Sequence, residues 1–255
     1  MKTNILNNRV PQVTIDFWII KLLAVTMGET AADYLNVNLG LGLTNTSLIM
    51  AAVLVAALIV QFRQKRYVPW AYWLAVILIS VVGTLVTDNL VDNFGVPLEV
   101  TTVVFTVALM ATFALWYRSE GTLSIHSIYT NRREAFYWLT ILFTFALGTA
   151  AGDLVSERFG LGYGSAGVLF GMVIVSLSFG YFVLKLDAIL AFWLVYILTR
   201  PLGASFGDLL SQPQDYGGMG FGTINTSIGF LIGIALIVVY MTATCKPETV
   251  AADAH

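Results

Sequence analysis

An all-α polytopic membrane protein is the fold class that this sequence predicts, on three observations. Apolar stretches of about 18 or more residues recur along the whole 255-residue chain, each long enough to cross a hydrocarbon core. Only 11% of the residues are charged and the mean hydropathy is +0.81, whereas a soluble domain is about 25% charged. One motif, W-x9-G-x4-D, occurs four times without a gap. The alternating ten-residue segments of a membrane β-barrel are absent from the sequence.

The motif defines the elements in order. Trp18, Trp73, Trp138 and Trp193 each stand ten residues before Gly28, Gly83, Gly148 and Gly203. Each glycine stands five before Asp33, Asp88, Asp153 and Asp208. The tryptophans are 55, 65 and 55 residues apart, which fits duplication of a hairpin and then of the pair. Two apolar segments per unit predict eight transmembrane helices over residues 13–35, 43–63, 69–91, 98–118, 135–157, 165–185, 188–210 and 224–244. An even number of helices per repeat gives all four units one orientation, so the repeats are parallel about an axis along the membrane normal.

Loop charge predicts that orientation. Arg63, Lys65, Arg66, Arg118, Arg132, Arg133 and Lys185 lie in one set of loops, against Arg158 alone in the other. The positive-inside rule then puts both termini in the cytoplasm and the tryptophans near the cytoplasmic interface, where amphipathic rings settle. The first 20 residues lack the short apolar core and cleavage site of a signal peptide and read as a cytoplasmic lead-in. The chain divides into a first half (13–118), a central cytoplasmic loop (119–134) and a second half (135–244) of one membrane domain covering residues 1–255. Cys245 is the only cysteine, so neither a disulfide framework nor a thiolate metal site is expected. No basic patch suits nucleic acid, and the partner predicted first is the lipid bilayer.

With these four units the chain resembles a family of bacterial membrane proteins of unknown function, built from four tandem repeats of two transmembrane segments with a characteristic tryptophan. The resemblance covers residues 13 to 244. It implies the same architecture and a multi-pass location in the inner membrane, and it supplies no substrate.

Fifteen residues from tryptophan to aspartate span about 22 Å of helix, which sets each acid in the outer third of the membrane, away from the cytoplasm. The acids could simply cap helix ends. However, that does not explain why the residue is always Asp at an invariant offset, and intramembrane carboxylates generally face a bundle interior or an aqueous cavity. Gly28, Gly83, Gly148 and Gly203 each have a second small residue four positions on (Ala32, Thr87, Gly152 and Gly207), a stripe that lets helix backbones pack closely. The aspartate follows that stripe, so the simplest arrangement brings four acids toward one axis or into two pairs.

The repeats also differ at telling places. Only the first carries Lys21 and Glu29, and Glu29 and Asp33 are i,i+4 neighbours that present two carboxylates on one face. Such a pair needs a shared proton or a cation. Only the fourth carries Arg200, too deep to reach water, for which Glu29 is the favoured partner. The adjoining Pro201 should kink the seventh helix. After the aspartates come Gly-rich turns whose Thr44, Asn45, Asn225 and Thr226 are candidate auxiliary ligands, as is Glu99.

This donor set is all oxygen. His126 and His255 lie in a loop and the tail, which disfavours soft metals and favours a hard cation: Mn²⁺, Mg²⁺, Ca²⁺, Na⁺ or H⁺. The reading that follows is a proton-coupled secondary transporter of a cation, not an enzyme. Asp33, Asp88, Asp153, Asp208 and Glu29 bind the cargo, and Lys21 and Arg200 serve charge pairing. No cofactor is required; a hard divalent cation held by Glu29 and Asp33 is the one the set admits. One alternative is an intramembrane aspartyl-type enzyme, since "AAGD" and "SFGD" are similar to the Gly-Asp element of such proteases, without its first glycine. Another is a membrane scaffold that does not transport. No phosphate-binding glycine loop is present for ATP-driven work. Eight helices could close as a monomer, and the small-residue stripes could equally serve a homodimer.

Overall fold

The computed structural model describes residues 8–38 and 40–244, so the predicted features at Cys245 and His255 lie outside the described residues. Among these residues there are eight α-helices: α1 (Ile15–Asp33), α2 (Leu43–Phe62), α3 (Pro69–Asp88), α4 (Leu98–Glu120), α5 (Asn131–Asp153), α6 (Tyr163–Phe182), α7 (Ala188–Ser211) and α8 (Thr223–Thr244). Local chemistry sets several starts. The Thr14 and Thr130 hydroxyls accept from the backbone N–H of Phe17 and Arg133, Asp187 caps α7, and Pro69 opens α3. The cap at Thr130 starts α5 four residues before the predicted 135. Because α4 reaches Glu120, which pairs with Arg133 at 2.7 Å, the central loop shortens to residues 121–130.

The helices form two concentric rings. The odd-numbered helices pack as an inner ring in the order α1, α3, α5, α7 and back to α1. Each even helix lies outside, against the inner helix that follows it: α2 on α3, α4 on α5, α6 on α7, and α8 back on α1. Outer helices are mostly exposed and carry apolar residues such as Leu48, Val103, Val175 and Leu236 on their outward faces. The inner helices are mostly buried.

The motif glycines are the ring's joints. A Cβ added at Gly83 would lie 2.9 Å from Phe145 Cβ, and one at Gly203 would lie 2.6 Å from Val25 Cγ1. Gly28 is equally tight against Ser80, and Gly148 against Arg200. Val25, Ser80, Phe145 and Arg200 all occupy the position three before the motif glycine in the next inner helix. One contact, repeated four times at one offset, therefore closes the ring. A second layer repeats the logic: Phe17 meets Trp73, Tyr72 meets Trp138, Tyr137 meets Trp193, and Phe192 meets Trp18, with ring centroids 5.4–6.3 Å apart.

Three further features concern elements that the sequence singles out. Of the repeat tryptophans, Trp73, Trp138 and Trp193 are 1–4% exposed and Trp18 is half-buried. Their rings pack on the neighbouring inner helix, and Trp73, Trp138 and Trp193 direct their indole N–H to Tyr67, Glu134 and the Leu123 carbonyl. Among the described residues, α2 to α8 are long and apolar enough by composition to cross a membrane, while α1 carries Asp16, Lys21, Glu29 and Asp33. α7 continues through Pro201 from Ala188 to Ser211, with the proline packed beside Gly148 and Gly152.

The seam predicts opposite outcomes for two alanine substitutions. Gly83→Ala should lower thermal stability in detergent by about 1–3 kcal/mol through overpacking. Gly229→Ala, on α8 with nothing within 4 Å of the added carbon, should leave stability unchanged or raise it by up to about 1 kcal/mol.

A polar column on the bundle axis as candidate functional site

The inner helices each carry one stripe, at intervals of four residues, toward the axis. In α1 it reads Lys21, Val25, Glu29, Asp33. Layering the four stripes gives the site.

The aspartates form the outermost of these layers. Each stands at the same repeat position near the end of one inner helix, α1, α3, α5 or α7, and those four helices close the inner ring. Asp33, Asp88 and Asp153 are half-buried, while Asp208 is 7% exposed. Asp33 accepts a hydrogen bond from Gln212 Nε2 at 3.2 Å, and the exposed Asp92 and Glu157 stand beyond the ring. Directly after three of the aspartates the helix widens into a π-helical turn, at Tyr34–Asn38, Asn89–Asn93 and Leu154–Arg158. Such turns recur at functional positions.

One layer in, Glu29, Thr84, Thr149 and Ala204 occupy equivalent positions. The expected ion pair is here: Arg200 Nη2 lies 2.7 Å from Glu29 Oε2, with both groups buried. The same guanidinium donates to the hydroxyls of Thr84 and Thr149, the latter at 2.8 Å. Thr84 in turn donates to Glu29 at 3.1 Å. Gly148 makes this possible, since Arg200 Cβ and Cγ occupy the space that a side chain there would need.

Below lies Lys21, fully buried. It donates to the Tyr196 carbonyl at 2.9 Å and to the Thr199 hydroxyl, and its Nζ sits 3.8 Å from the Tyr196 ring centroid. Among the described residues Lys21 forms no ion pair. Further in, the buried hydroxyls of Tyr72 and Tyr137 share a 2.5 Å hydrogen bond.

The sequence expectations fall out on this column as follows. Glu29 and Asp33 lie one turn apart on α1, and the Glu29 carboxylate is engaged by Arg200. Among the described residues no three His, Cys, Asp or Glu side chains are grouped to hold a metal ion. The proposed auxiliary ligands are not brought to the ring. Thr44 and Asn45 are exposed at the start of α2, while Asn225 and Thr226 bond the carbonyls of Phe221 and Gly222 in their own turn. Glu99 pairs with Arg158 at 2.9 Å on the outside. Conversely, Gln212, Thr84, Thr149, Tyr196 and Thr199 take part without having been singled out. The four-residue stripe through Glu29 and Arg200, extended to all repeats, is the signal that finds Thr84, Thr149 and Tyr196.

Breaking a buried pair from one side leaves an uncompensated charge, costing about 3–5 kcal/mol. Arg200→Met should therefore melt well below wild type in detergent. Adding Glu29→Met should recover a large part of the loss, read as a non-additive double-mutant cycle.

The repeat has a known counterpart. The model named Repeat of Unknown Function (DUF347) matches the chain four times, at residues 17–67, 71–122, 136–185 and 191–246. No curated protein and no solved structure gives a significant match. The four matches follow the four W-x9-G-x4-D units hairpin by hairpin, and the chain belongs to this family of tandem membrane-helix repeats.

Proposed function

We propose that the protein is a secondary transporter that carries a hard cation, with the aspartate ring as its cargo vestibule. In this reading all eight helices span the inner membrane, the termini lie in the cytoplasm, and the ring opens to the opposite side. α1 crosses despite Lys21 and Glu29 because its neighbours, not lipid, surround them, while Asp16 lies in its first turn and Asp33 at its last residue. The observation that carries the reading is an aspartate at one repeat position on every inner helix, Asp33, Asp88 and Asp153 half-buried and Asp208 buried, in a bundle clothed in apolar helices. Carboxylates gathered this way repel one another unless a cation or protons neutralise them.

The layer beneath suits exchange better than free flow. Arg200 and Lys21 are buried positive groups on the axis, and a cation moving past them unaided would meet repulsion in a low-dielectric interior. The cargo is thus held at the ring, where it can give way only to protons or to a rearrangement of the Glu29–Arg200 pair. With no chelating trio in place, a metal ion would keep part of its water shell, as hard cations commonly do.

A ligand that binds only the folded state raises stability by RT ln(1 + [L]/Kd), or about 2.7 kcal/mol at 100-fold over Kd. In detergent, one or more of Mn²⁺, Mg²⁺, Ca²⁺ and Na⁺ should raise the melting temperature, increasingly so at higher pH as protons cease to compete. Asp33→Asn, Asp88→Asn, Asp153→Asn and Asp208→Asn should each weaken that response while remaining folded. If no cation acts and the variants only shift the melting point, the acids are structural and the transport reading is abandoned in favour of a scaffold.

A further inference from the structure

The tryptophan end of the bundle is closed by a device that the column does not use. Residues 8–13 run as a non-helical strap ahead of α1, with Pro11 holding Val10 out of helical geometry. The strap ties both halves together. The Asn8 carbonyl accepts from Tyr67 N–H at 2.9 Å, before α3; its side chain donates to the Ile125 carbonyl and accepts from Ile128 N–H, in the central loop. Arg9 N–H donates to the Ile128 carbonyl, and Val10, 2% exposed, joins the apolar cluster that contains Phe17, Tyr72 and Trp73.

Its latch is a buried acid. Glu134 on α5 is fully buried, and Arg9 Nη1 meets its Oε2 at 2.6 Å. Gln61 Nε2 at the end of α2 donates to Oε1 at 3.0 Å, Trp138 Nε1 donates to it at 3.3 Å, and Asn131 Oδ1 accepts from Arg9. The pocket is built yet incompletely satisfied, since Gln61 Oε1 and Arg9 Nε are buried without hydrogen-bond partners. Orphaned groups of this kind cost free energy in the docked state and favour an element that can leave.

We propose that the strap is a gate at the tryptophan end, and that Glu134, Gln61 and Asn131 form a guanidinium-binding pocket in which Arg9 is the tethered occupant. While Arg9 is seated, the aspartate ring communicates with one side only. Withdrawal of the strap uncovers the aromatic layer beneath it. As a gate the strap has meaning only if the bundle transports; its release, however, can be measured without any cargo.

The test uses full-length protein in nanodiscs, with Cys245→Ser and a single thiol at Val10→Cys or Ala75→Cys, labelled by a cationic methanethiosulfonate. Ala75 is a fully buried α3 residue in the same cluster as Val10. With Arg9 present both thiols should react slowly. Arg9→Ala should speed both by about tenfold or more by opening the local equilibrium, and millimolar methylguanidinium, but not methylammonium, should slow them again. Glu134→Gln should speed both without this rescue. The proposal is overturned if neither variant accelerates labelling. It is also overturned if Val10→Cys reacts faster while Ala75→Cys stays protected, or if methylguanidinium restores nothing in Arg9→Ala. Cation-induced stabilisation of the wild type, measured separately, tells failure of the gate from failure of the transport reading.

Discussion

Four places where one helix backbone meets the next without a side chain between them determine the rest of this molecule. In lipid, helices gain little from hiding apolar surface, so association depends on close contact and interhelical hydrogen bonds. Gly28, Gly83, Gly148 and Gly203 supply that closeness, each against the residue three before its counterpart in the next inner helix. Because the offset is the same at all four seams, the ring closes without a special joint where α7 returns to α1. The axis follows: the layers come into register, and a guanidinium from α7 can reach a carboxylate on α1.

The outer helices have a complementary role. Each leans on the inner helix of the next repeat, so no hairpin buries its own seam alone. The fold is a ring of interlocked repeats rather than four side-by-side hairpins, and most of its apolar exterior is supplied by α2, α4, α6 and α8. That division leaves the inner helices free to carry threonines, tyrosines and charges at positions where a lipid-facing helix could not.

Much of this was legible in the residues, and the misreadings have physical causes. The repeat, the eight helices and the packing glycines follow from spacing. The Glu29–Arg200 pair was legible because each is the odd residue at its repeat position and neither could be left alone in an apolar bundle. Sequence gives the position of each tryptophan along its helix but not its azimuth, so the packing of these rings on the neighbouring inner helix was not legible. The π-helical turns after Asp33, Asp88 and Asp153 have no marker in composition. The strap was missed for a related reason: "NRVPQV" is polar and proline-bearing, as a free lead-in would be, and only the long-range partners Tyr67, Ile128 and Glu134 distinguish the two.

The single arginine on the axis has a consequence for how such a ring can be assembled. Four identical hairpins obeying true fourfold symmetry would bring four copies of Arg200 to the same point. At an effective dielectric of about 20, like charges 4 Å apart repel by about 4 kcal/mol per pair, and no homotetramer could bear the sum on its axis. A lone salt bridge at a symmetry centre is open only to copies that are free to diverge. Fusion of the repeats provides that freedom: it lets one quarter of a nearly symmetric object hold a charge that the other three do not.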